Sequence, residues 1–134
     1  MSILRRLILI IVALCCAAAG VALTVQAPLF SELVAQSDVI VRTEVTASRC
    51  EWRQTASGPV IVTVVTLRVE ATVKGAASTE MQLQHLGGHI GDRRLVIPGL
   101  PEFAVGDRDY LFIEANGRAL CPLVAIPHGR YPLV

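Results

Sequence analysis

The run VIVTVVTLRVEATVKG, residues 60–75, limits what this chain can fold into more than any other stretch. Ile61, Val65, Leu67, Val69, Ala71 and Val73 fall on one face at period two. The opposite face begins apolar with Val60, Val62 and Val64 and ends polar with Arg68, Glu70, Thr72 and Lys74. β-branched side chains repeating in this way indicate a strand, because their stiff χ1 suits a pleated surface better than a helix. Drawn out straight, about fifteen residues would span about 50 Å, too long for a domain of this size. The strand is therefore expected to bend or bulge, crossing from one sheet region to another as barrel strands do.

The rest of the chain supplies partners for that strand. Residues 28–37 suit a short helix, with Pro28 in its first turn and Leu29, Leu33 and Val34 on one face. From Asp38 the period drops to two: Val39, Val41, Val45 and Ala47 point one way, and Ile40, Arg42, Glu44, Thr46 and Ser48 the other. RCEWRQTASGP breaks the alternation and is expected to be an irregular loop. EMQLQHL alternates again, with Met81, Leu83 and His85 on one side, and GGHIGD is expected to be a turn. RRLVI and RDYLFIEA are further strands, and Asn116-Gly117 signals a hairpin with RALCPLVAI returning. The expected class is all-β with minor α: a small antiparallel OB-like barrel with one short N-terminal helix.

The first 27 residues have a character of their own. Arg5 and Arg6 precede an apolar run free of charge and proline, the pattern of a secretory signal peptide. The alternative is an uncleaved anchor, since residues 7–25 are long enough to span a bilayer. Residues 28–134 then form a single domain that is periplasmic, held in the cell envelope or extracellular, or else tethered to a membrane. Without Arg5 and Arg6, ten basic residues face eleven acidic ones, a net charge of −1. Near-neutrality excludes a dedicated nucleic-acid binder, which needs a basic face. Two cysteines, Cys50 and Cys121, remain, and in an oxidising compartment they are expected to pair as a disulfide; the other reading is two free thiols.

The order of elements also has a familiar rhythm: SDVIVRTEV, an irregular loop, a long strand ending VKG, an amphipathic strand, a glycine-rich turn, then PEFAVGDRDYLFIEANG. It resembles small secreted bacterial proteins and the netrin-like module, the OB-type barrel of tissue inhibitors of metalloproteinases. The resemblance implies a barrel over most of 28–134 and a binding role. Such inhibitors chelate the target's zinc through a cysteine at the mature N-terminus. No cysteine lies at any fitting cleavage point here, so the inhibitory mechanism does not carry over with the fold.

Little in the sequence points to chemistry. His85 and His89 could bind zinc with His128 or Asp92, but a spacing of four across a strand end and a Gly-Gly turn does not bring two rings together as it would on a helix. No serine or cysteine stands in a nucleophile motif, and GGHIGD lacks the ending of a phosphate-binding loop. The expectation is a non-enzymatic binding module without cofactor, whose partner is a protein, a protease being one candidate. Its expected contacts are Trp52, Arg53, His89 and Arg93, on two loops flanking a barrel edge. The alternative is a metal-binding protein or metal-dependent enzyme using His85, His89 and His128.

Overall fold

The computed structural model describes Ile3 and residues 26–134, so the expected signal peptide or anchor falls almost wholly outside the described residues. Among the described residues no helix is long and apolar enough to cross a membrane. The elements are α1 (Phe30–Gln36), β1 (Val39–Thr55), β2 (Gly58–Lys74), β3 (Glu80–Leu86), β4 (Gly88–Ile90), β5 (Arg93–Leu95), β6 (Arg108–Ile113), a 3-10 turn (Ile126–Gly129) and β7 (Arg130–Pro132). Five strands form one antiparallel sheet in the order β3-β2-β1-β6-β7, and β4 and β5 form a separate hairpin. The fold is mostly antiparallel sheet with one short helix. The large sheet ends at β3 and at β7 and does not close on itself.

β1 and β2 are each 17 residues long and make the backbone of the molecule. The bends expected of the long strand are present. In the β1–β2 register Val73 and Glu70 are extra residues on β2, and Thr46 is extra on β1. Each bulge kinks the ladder and shifts the side-chain phase by one. This is why Val73, expected on the inner face, points out and is 64% exposed.

The irregular loop expected after Ser48 is absent: β1 runs on to Thr55 and turns tightly into Gly58. Its polar residues alternate on a ladder that outruns the core, so pairing with β2 overrides the loss of hydrophobic pattern. GGHIGD is likewise not simply a turn. Gly88–Ile90 is strand β4, paired with β5 around Gly91-Asp92. The expected hairpin at Asn116-Gly117 does not form, and of the returning strand only an Ile113–Leu123 bridge remains. Instead the Asn116 side chain caps the free edge of β3. Its Nδ2 donates to Gln82 O at 2.7 Å, and its Oδ1 accepts from Gln84 N at 3.5 Å. Leu86 N donates to Leu120 O at 2.7 Å, so this segment covers an edge that would otherwise template another strand.

The core occupies the inner face of the curved sheet, where Val41, Val45, Val65, Leu67, Leu83, Leu111, Ile113 and Leu123 pack together. A smaller cluster on the outer face joins Leu33 of α1 to Ile40, Phe112 and Val124. Ile40, expected on the wet face of its strand, is covered there by α1. At seven residues α1 depends on packing and local bonds. Glu32 Oε2 accepts from Leu29 N at 2.9 Å, and Lys74 Nζ reaches from β2 to Val34 O at 2.8 Å. Leu29, expected on the packed face, is exposed beside the helix start.

Candidate functional site

Asp109 is the first unusual group met on building outward from the core. Alternation along β6 places it on the face that carries Leu111 and Ile113, and it is 1% exposed. A carboxylate buried there needs a partner. Arg130, at the start of β7, supplies one: its Nε donates to Asp109 Oδ1 at 2.8 Å, its Nη2 to Asp107 Oδ2 at 2.8 Å and its Nη1 to Glu102 O at 2.6 Å. The hydrogen bond from the Ala104 amide, and then the Arg130 guanidinium, hold the Asp107 carboxyl below its ordinary range. Asp107 and Asp109 are thus parts of one ion-pair network.

That network leads to an open cleft. The Arg130 guanidinium lies 4.4 Å from the centroid of the Phe103 ring, and Phe103 faces the His85 ring at 6.3 Å. His85 lines a cleft of about 360 Å³ whose polar lining also includes Cys50, Thr63, His89, Arg94 and Glu102. Three neighbouring strands present Cys50, Thr63 and His85 in register on the inner face. Thr63 Oγ1 donates to Gly87 O at 2.7 Å. That uses its one proton, so the contact of 3.5 Å to Cys50 Sγ has the thiol as donor. His85 Nδ1 lies 3.0 Å from Leu86 O.

The β4–β5 hairpin roofs the cleft, and Gly88 lets it come close. A Cβ at Gly88 would lie 2.6 Å from Cys50 Sγ and 2.7 Å from Thr63 Oγ1, and φ there is +138°. The glycine pair in QHLGGHIGDRR therefore serves backbone approach.

The structure separates the four expected contacts. Trp52 lies two residues beyond Cys50 on the same face of β1 and is 49% exposed. Arg53 alternates to the other face, where its Nη2 is held by Glu51 Oε1 and Gln84 Oε1, both at 2.9 Å. His89 lines the cleft together with its cross-strand neighbour Arg94, whereas Arg93 is exposed and does not line it. Arg94 and Glu102 are not among the expected contacts. The alternation of β5 distinguishes Arg93 from Arg94 only once the hairpin register is known.

Cys50 and Cys121 are both free, so the expected bridge is not formed. Cys50 is turned to Thr63, while Cys121 packs against the inner core and burial pushes its thiol pKa up. Of the alternative zinc set, His85 and His89 line the cleft, while His128 sits on the 3-10 turn and does not. Among the described residues no three His, Cys, Asp or Glu side chains are grouped to hold a metal. Comparisons with protein-family models, curated proteins and solved structures found no match to this chain.

Proposed function

We propose that the chain is an exported, non-enzymatic binding module that engages a protein partner with the cleft end of its long hairpin. One observation carries this reading. Trp52 stands half exposed on a strand arm that outruns the core, on the same face as an open cleft offering His89 and Arg94. Indole and guanidinium groups dominate protein interfaces because they give large contact area with directed polarity. The polar partner of the Cys50 thiol is the Thr63 hydroxyl and not an imidazole or a cation, which favours recognition over catalysis at this site. An OB-like, netrin-type identity for the curved sheet belongs to the same proposal, supported by the bulged long hairpin and the short N-terminal helix. A secreted or surface protease is the first partner class to test.

A photo-crosslinking residue at Trp52 or His89, introduced into the full chain in its native host, is expected to give one shared protein adduct. The same residue at Glu80, on the sheet edge away from the cleft, should not give it. Identical adduct patterns at all three positions would defeat the proposal.

A further inference from the structure

The other end of the long hairpin carries a second cavity of different character. It is an open slot of about 520 Å³ beside α1, walled by Phe30, Val34, Val73, Tyr110, Phe112 and Tyr131. Three aromatic rings meet there: Phe30 lies edge-on to Phe112 at 5.7 Å, Phe112 lies 5.5 Å from Tyr131, and Phe30 6.5 Å from Tyr131. Phe30 is 63% exposed, and Leu29, Val73 and Tyr131 are exposed around it. The one charge in the lining, Lys74, bonds the Val34 carbonyl at 2.8 Å. A continuous apolar and aromatic surface of this kind is unfavourable in water and marks a contact site.

The chain leading into α1 indicates what that contact is. Residues 7–25 contain neither charge nor proline and are the length that crosses a hydrocarbon layer. They end at Val25, five residues before Phe30. Five extended residues reach at most about 18 Å, so a retained apolar segment in a bilayer holds the slot within that distance of the hydrocarbon boundary. The slot's side chains suit that depth, because tyrosine and phenylalanine place an apolar body and a polar or quadrupolar edge at the interface. Charge on its flank is balanced: Tyr110 pairs across the ladder with Arg42, and Arg42 and Arg108 share the carboxylate of Glu70, while Glu32 stands on α1 beside Leu29, so the contact rests on the apolar and aromatic side chains.

We propose that, in the chain retaining residues 7–25, the slot end rests on a lipid bilayer: Phe30, Val73 and Tyr131 enter the headgroup–acyl boundary, and the slot admits the upper part of a lipid acyl chain. The cleft end then points away from the membrane.

The test uses the full chain reconstituted in phosphatidylcholine vesicles with bromine atoms on the acyl chains near the carbonyl. Trp52, the one tryptophan, reports the cleft end. Tyr131→Trp in a Trp52→Phe background reports the slot end. Tryptophan at 131 is expected to be quenched several-fold more than Trp52. Adding Phe30→Ser should reduce quenching at 131 while the strand circular dichroism is kept. Equal and weak quenching at both positions would overturn the proposal, as would recovery of the native protein only as a chain processed before Pro28. Should Phe30→Ser unfold the chain, the comparison of Trp52 with tryptophan at 131 still decides.

Discussion

The two ends of the β1–β2 hairpin are built from the same ladder and differ in what covers them. Near Ile40 and Phe112 the sheet is covered on both faces, by the main core inside and by α1 with its aromatic cluster outside, while Thr72 and Val73 at the end of β2 stay exposed. Beyond Ile61, which is still buried, the covering thins to the small β4–β5 hairpin, and the strands continue past it into solvent at residues 52–55. Backbone pairing alone suffices to extend a strand once a covered end anchors its register. The thinly covered end is free to carry polar groups, and there the cleft forms.

This contrast gives graded expectations. The largest concerns Arg130, which holds the buried Asp109 next to the covered end. Arg130→Met leaves that carboxylate without its cation and is expected to cost about 3–5 kcal/mol in urea unfolding, as for a broken buried pair. A cost under about 1 kcal/mol would mean that Asp109 is not sealed from water. Leu67 is wholly buried at the covered end, and Leu67→Ala should cost about 2–5 kcal/mol. The matching change at the open end, Trp52→Ala, should stay within about 0.5 kcal/mol of wild type. Similar losses for the two would erase the distinction.

Gly88→Ala sits between these. It forces the roof off the cleft at a backbone angle that side chains avoid, with an expected cost of about 1–3 kcal/mol and faster alkylation of Cys50. Unchanged alkylation would show that the hairpin does not shield the thiol. A smaller effect comes from pH. Because the Ala104 amide and then Arg130 depress the Asp107 carboxyl, its contribution is present above its unfolded value near about 4 and is lost as pH falls through the lower folded value. The urea midpoint is therefore expected to fall on acidification below pH about 4, and Asp107→Asn should flatten that fall. An identical pH profile in the variant would remove Asp107 from the account.

Much of the fold was legible in the sequence, since period-two burial is local information. The long strand, its need to bend and the inward set Met81, Leu83 and His85 follow from alternation, and the short helix from its own 3.6-residue spacing. What escaped depends on pairing across distance. The arm from Arg49 to Thr55 has no apolar pattern and is strand only because β2 lies beside it. Asn116 looked like a turn residue because Asn-Gly favours hairpins, yet its amide is used on the edge of β3. The candidate site was legible only in part. His89, singled out from residue type, lines the cleft and Trp52 stands beside it, whereas Arg94 and Glu102 join the cleft through the hairpin fold. The buried Asp109 did leave a local sign: in RDYLFI it alternates with Leu111 and Ile113, which marks an acid on the core face.

The central claim, one ladder with an anchored end and an open end, is tested most directly by native-state hydrogen exchange resolved to single amides. Amides in the β1–β2 ladder near Val41, Val45 and Leu67 are expected to exchange only through global unfolding. Those in the ladder near Arg53 and Val60 should exchange through local opening at far lower free energy. Uniform protection along all of β1 and β2 would contradict the account.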